Sequence, residues 1–178
     1  MYIAKTKVSY PITLANSYVF VNEMLSRTSD DDNSEFTDML IESATEATEG
    51  QINQDIAYTG NVSTLKDFTG SELKVAQGNF NSMTSIVNND TSTLITGYEV
   101  VKGYDYFLIV FDSTISCDKM TLSFNTGWNN IDDVPKCLRQ AILVKTADLW
   151  DNERGSYNFS GTNYNNAWER LCDQYKLM

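Results

Sequence analysis

The chain contains no histidine at all, two prolines and three cysteines in 178 residues. Without histidine, the commonest general base and metal ligand is missing, and so are Ser–His and Cys–His nucleophile pairs. Cys117, Cys137 and Cys172 are widely spaced and odd in number, with no CxxC. This excludes a zinc-finger pattern and a disulfide framework, and reads as three free thiols in a reducing compartment. Two prolines and a charged fraction of 21% exclude wholesale disorder. The opening "MYIAKTKVSYPITLANSY" has no long apolar run, so it is read as something other than a secretory signal. No window approaches the roughly 20 apolar residues of a membrane-spanning helix, so no membrane partner is expected. Basic charge is scarce too: 13 Lys and Arg stand against 24 Asp and Glu, a net charge of −11. Non-specific DNA binding needs the opposite balance. The charge suits a soluble protein, or one lining a path that must not hold DNA tightly.

What is present is a real core composition, 42% hydrophobic and 12% aromatic, arranged in three zones. Residues 1–56 read as helical. A short segment from Pro11 to about Val21 places Leu14, Tyr18 and Val21 on one face. The acidic loop "SRTSDDDNSE" follows, in which Asp32 and Glu35 have capping-box spacing. A helix from about Asn33 to Ile56 then carries the stripe Phe36, Leu40, Ala44, Ala47 and Ile52. Residues 57–128 are β-rich: strands are expected near 93–101, 105–112 and 119–125, with weaker ones at 61–68, 72–77 and 83–88. Lys102-Gly103-Tyr104 has the composition of a hairpin turn.

Residues 129–178 return to helical periodicity. Asp132 and Asp133 place negative charge at a helix N-terminus, and Pro135 suits its first turn. Leu138, Ala141, Ile142 and Leu149 form one stripe, widened by Val144, Ala147 and Trp150. Gly155 is the expected stop. Tyr164, Ala167, Trp168, Leu171, Cys172 and Tyr175 then recur at i, i+3, i+4, i+7, i+8 and i+11, predicting a final amphipathic helix running almost to Met178. The predicted architecture is α+β: a helical bundle formed by N- and C-terminal helices, with a β-rich antiparallel insertion between them. The corresponding domain division is 1–56 with 129–178 as the helical core, and 57–128 as the insertion.

Motifs that carry chemistry are missing. Asp105, Asp112, Asp132, Asp133 and Glu153 are the acids available for a carboxylate pair, and no spacing singles out two of them. "DDDNSE" fails the EF-hand pattern, since Glu35 stands where glycine belongs and Ile41 where the terminal glutamate belongs. Neither GxGxxG nor GxxxxGK[ST] occurs. No metal, cofactor or catalytic residue is assigned, and the chain is read as a non-enzyme. Tyr98, Tyr104, Tyr106, Phe107 and Phe111 are the candidates for a stacking face, although alternation along a strand sends half of them inward. Lys136, Arg139, Glu153 and Arg154 on the penultimate helix are either a solvated polar face or a set of salt bridges between neighbouring subunits.

The order of these elements resembles a known family. "YPITLANSYVFVN" followed by "DDDNSEFTDMLIESATEATEGQINQ" resembles the opening of the head–tail connector (head-completion or adaptor) proteins of tailed bacteriophages. "FNTGWNNIDDVPKCLRQAILVKTADLWDNERGSY" is similar to that family's closing signature. Gly127, Val134, Pro135, Leu138, Ala141, Ile142, Leu149, Trp150, Asn152, Glu153 and Arg154 stand in matching places. "YNNAWERLCDQYKLM" resembles its terminal helix. The resemblance spans both helical ends, roughly 100 residues, and its weight lies in order and spacing. Two departures stand out: Glu153-Arg154 reverses the commoner order, and the β-rich middle is longer than a minimal connector needs.

The resemblance implies a structural virion protein made in the host bacterial cytoplasm. Such a subunit forms a ring, commonly of twelve, beneath the portal at the capsid vertex. It extends the DNA channel and offers a docking surface to the tail or the next ring, with DNA only a passing, non-specific occupant. It also implies portal contact by residues 162–178, with Tyr164, Trp168, Leu171 and Tyr175 as the contact residues; the same apolar stripe suits intramolecular core equally well. The rival reading is a carbohydrate- or ligand-binding phage tail accessory domain built on the β-rich middle.

Overall fold

The computed structural model describes residues 2–13, 34–154 and 167–176; the side chains of Tyr2, Ser34 and 151–154 are outside that description. The expected Pro11–Val21 segment beyond residue 13, the Asp32 cap, the Gly155 stop and Tyr164 lie outside the described residues. The elements are β1 (Tyr2–Ser9), α1 (Ser34–Ile52), β2 (Tyr58–Val75), β3 (Phe80–Asn88), β4 (Thr93–Leu94), β5 (Tyr98–Lys102), β6 (Phe107–Thr126), a 3₁₀ turn (Ile131–Asp133), α2 (Lys136–Arg154) and α3 (Ala167–Asp173). The fold is α+β. Its strands form one antiparallel sheet in the order β1-β2-β6-β3-β4, with β5 also on β6. Two compact units divide the chain: Met1–Ser9 with Gln54–Trp128, and Tyr10–Asn53 with Asn129–Met178.

The first correction concerns the N-terminus. Residues 2–9, expected among the helical ones, are a strand that pairs antiparallel with β2, Ile3 opposite Ser63 and Lys5 opposite Asn61. The partner lies more than fifty residues away, so local periodicity carried little of the signal; β pairing is a tertiary event.

The second correction concerns strand length. The separate segments expected at 61–68 and 72–77 are one 18-residue strand, and those at 105–112 and 119–125 lie on one 20-residue strand. The expected strand at 93–101 is instead two, β4 and β5. The stretches that read as breaks are bends. Asp67 adopts φ 52°, and the β2–β6 register slips between Gly70 and Glu72, opposite Ile115 and Val110.

The consequence is visible in the core. Phe107 and Phe124 stand 17 positions apart on β6, about 56 Å if the strand ran straight. Their ring centroids are 5.0 Å apart, and Phe80 of β3 lies 4.3 Å from Phe107. The two long strands therefore fold over on themselves, as strands do when bulges let them turn a corner. The doubled sheet encloses Leu73, Val75, Ile86, Ile109, Met120 and Leu122. The Lys102-Gly103-Tyr104 turn is observed between β5 and β6, with Lys102 paired to Phe107.

The helical unit is built on α1 and α2. The stripe on α1 is partly threonine: Thr37, Thr45 and Thr48 are buried beside Leu40, Ile41 and Ala44. Their burial is tolerable because Thr45 Oγ1 donates to the Ile41 carbonyl and Thr48 Oγ1 to the Ala44 carbonyl, both at 2.8 Å. The helix stops earlier than expected, at Ile52, with Asn53 in the left-handed conformation (φ 57°) that terminates many helices. On α2, Leu138, Ala141, Ile142, Thr146 and Trp150 are buried, and Phe36 packs on Trp150 with centroids 5.8 Å apart. The last described helix is shorter than expected, ending at Asp173.

Candidate interaction surfaces

The residues expected to act on partners sit mostly in the helical unit. Lys136 is exposed in the first turn of α2. Arg139 is half-buried, its Nη1 3.9 Å from Asp132 Oδ1 of the preceding 3₁₀ turn. The Asp132 side chain is 94% exposed, so this pair contributes little on its own. Glu153 and Arg154 are helical in backbone; their side chains are outside the described residues. On α3, the Trp168 indole N–H donates to Thr48 Oγ1 at 3.1 Å. The Lys145 ammonium lies 4.6 Å from the centre of the Trp168 ring. Cys172 is fully buried, and Leu171 and Tyr175 are half-buried. Burial pushes the Cys172 thiol up to about 11, with Asp173 and Glu169 adding to the shift.

The aromatics weighed as a stacking face against a core role do not assemble into one. Phe107 and Phe111 are core, Tyr98 and Tyr106 half-buried, and of the five only Tyr104 is well exposed, at 59%. Asp105, Asp112, Asp132 and Asp133 are exposed. Among the described residues no group of three or more His, Cys, Asp or Glu is arranged to hold a metal.

The sheet unit holds two features that the sequence reading passed over. One is a buried carboxylate. Asp55 accepts from Lys5 Nζ at 2.8 and 3.1 Å, from Gln77 Nε2 at 3.0 Å and from Thr126 Oγ1 at 2.6 Å. Its backbone carbonyl accepts from Asn79 Nδ2 at 2.6 Å. One side chain thus ties β1, the β2–β3 connection and the end of β6 together. Beside it, Gly127 has φ 80°, and a Cβ there would lie 2.1 Å from the Ala57 carbonyl oxygen. This close backbone approach requires glycine.

The other feature is a face. Residues paired directly across strands share a side of the sheet. The register aligns Ala4, Val62, Ser123 and Ser85 in one row. The next row is Thr6, Gly60, Asn125 and Ser82. On the other flank, Thr64, Thr121 and Val87 line up with Leu94. No charged residue stands in these rows. The two lysines of β1 have the opposite parity and turn to the other side, Lys5 onto Asp55.

No family model matches the chain, and no curated protein matches it in sequence. Solved structures do match over nearly its full length. A chain in the neck of an empty gene transfer agent particle, computed with C6 symmetry, has a TM-score of 0.75 at 12% identity, covering 98% of this chain and 96% of that one. A chain of the native gene transfer agent virion has a TM-score of 0.74 at 12% identity, covering 100% and 96%. A chain in the native neck, computed with C12 symmetry, has a TM-score of 0.72 at 12% identity, covering 98% and 96%. At this identity the likeness establishes a shared fold.

Proposed function

We propose that the protein is a non-enzymatic structural subunit of the neck of a phage-like particle, a head–tail connector that sits in a ring beneath the portal. The observation that carries this reading is the whole-chain likeness to neck chains of gene transfer agent particles. The order of motifs in both helical ends points the same way. The symmetry of those necks supports a ring, with twelve subunits as the proposed number. A ring needs two different faces on each subunit, and this chain presents both a helical unit and a bent sheet.

Within the proposal, the C-terminal segment faces the portal through Tyr164, Trp168, Leu171 and Tyr175. Lys136, Arg139, Glu153 and Arg154 of α2 pair across neighbouring subunits. The opposite side of the ring receives the tail or the next ring. DNA passes through without sequence-specific contact, over a wall kept acidic by a subunit charge of −11. A strongly positive lumen in the assembled ring would contradict that last element.

The deciding experiment tags the chain in producing cells, purifies particles and locates the tag by immunogold electron microscopy. Label at the neck between head and tail is the expected result. Particles lacking the chain, or label on tail fibres, would overturn the reading.

A further inference from the structure

In a protein with net charge −11 and 21% charged residues, the outer side of the β1–β2–β6–β3 sheet is conspicuous for carrying none in its aligned rows. The usual arrangement of a one-sided sheet is charged or polar residues outward. Here β1 is inverted: Lys5 is drawn inward by Asp55, Lys7 shares its parity, and Ala4, Thr6 and Val8 face out. A one-residue slip would exchange the two sets, so the Asp55 bond fixes a neutral outer face. Val8 is 62% and Val62 46% exposed on it.

Some polar atoms of the face are partnered with one another. Asn125 Nδ2 donates to Ser82 Oγ at 3.1 Å and to Thr84 Oγ1 at 3.3 Å, and Asn89 Nδ2 donates to Thr121 Oγ1 at 3.1 Å. Covering these groups therefore strands fewer donors, and stranded donors are the main cost of burying polar surface.

We infer that this neutral face is the core of an interface with a second copy of the same chain, the neighbour in the proposed ring. The inference rests on the neck reading above. Electrostatics selects the occupant. A partner of opposite charge is recognised by a charged surface; a partner carrying the same −11 is approached at least cost through a surface with no charge. Interface cores are depleted of charged residues in the same way, with charge kept to the rim. Lys66 and Lys119, paired to each other in the next row, and Asp67 and Asp118 beside them supply such a rim of mixed sign. Four strands by about five residues present roughly 320 Å². That is about two-fifths of the ~800 Å² that a standard interface takes from each partner, which leaves the remainder to a rim around it.

The test places the photo-crosslinker benzoylphenylalanine at Val62 in the full chain, in particles from producing cells, with Val62→Lys as the companion variant. The expected product is an adduct of two copies of this chain, with Val62→Lys reduced at least tenfold in particles while its circular dichroism melt matches wild type. An adduct with a different particle protein, no adduct in particles that contain the chain, or wild-type incorporation of a folded Val62→Lys overturns the inference and leaves the neck reading standing. Particles without the chain remove both. Should Val62→Lys fail to fold, the adduct alone decides.

Discussion

Replacing Gly127 with alanine tests whether the junction of the sheet has the geometry described. The added Cβ would lie 2.1 Å from the Ala57 carbonyl oxygen, 2.7 Å from its carbon and 2.9 Å from the Ile56 oxygen. Ordinary contact begins well beyond 3 Å, so the backbone must separate by about 1 Å. Two hydrogen bonds hold this segment in place, Trp128 N–H to the Ile56 carbonyl at 3.0 Å across the approach and Gly127 N–H to the Asn79 carbonyl at 2.9 Å. Losing both costs about 2 kcal/mol, and holding alanine at φ 80° adds about 1–2 kcal/mol. The sum, about 3–4 kcal/mol, corresponds to a melting temperature lower by about 6–16 °C in a protein of this size. Gly50 is the internal control. It lies near the end of α1, is exposed, and a Cβ there meets nothing within 4 Å. Gly50→Ala should instead stabilise, by up to about 1 kcal/mol, because alanine loses less backbone freedom in a helix. Thermal unfolding followed by circular dichroism measures both. Melting temperatures for Gly127→Ala within 2 °C of wild type would refute the packing argument.

Further expectations follow from the same structure. Asp55→Ala strands the Gln77 and Thr126 donors in a buried setting and should cost about 2–3 kcal/mol by urea denaturation. Lys5→Ala should cost under about 1 kcal/mol, because the Lys5 side chain is 43% exposed; equal effects would contradict the assignment of Asp55 as the hub. Phe124→Ala opens a cavity against Phe80 and Phe107 and should lower stability by about 3–5 kcal/mol. Cys172, its thiol raised to about 11, should resist iodoacetamide in the native protein at pH 8, with half-buried Cys137 labelled first in a mass-spectrometric time course. The sign for stability follows: the fold favours the neutral thiol, so the contribution is full below the ordinary value of 9.0 and is lost as pH rises from there through about 11.

Much of the helical unit was legible from the chain because a helix is specified by residues three and four apart. Most of the α1 and α2 stripes, the acids and Pro135 before α2 and the 102–104 turn are local patterns that are observed, while Phe36, Ala47 and Leu149 are only half-buried. The order of those patterns also carried the family resemblance. Some limits of the helices were misjudged for equally local reasons: Asn53 in a left-handed conformation ends α1 four residues early.

The candidate surfaces divide in the same way. Trp168 was legible as one side of an amphipathic helix, but only packing shows its indole bonded to Thr48 and its ring under Lys145. Along the first nine residues, alternation of Lys5 and Lys7 with Ala4, Thr6 and Val8 determines that two sides exist. Which side faces solvent depends on the register with β2 and on Asp55, a partner fifty positions away. The sequence by itself therefore determined the helices α1 and α2, the β-rich character of the middle and the 102–104 turn. Tertiary structure alone decided that β1 joins the sheet, that β2 and β6 double back so that Phe107 meets Phe124, and that three adjacent rows of one sheet face carry no charge. Those outcomes depend on contacts distant in sequence, and the free energy that selects among them comes from burial and pairing that no local window contains.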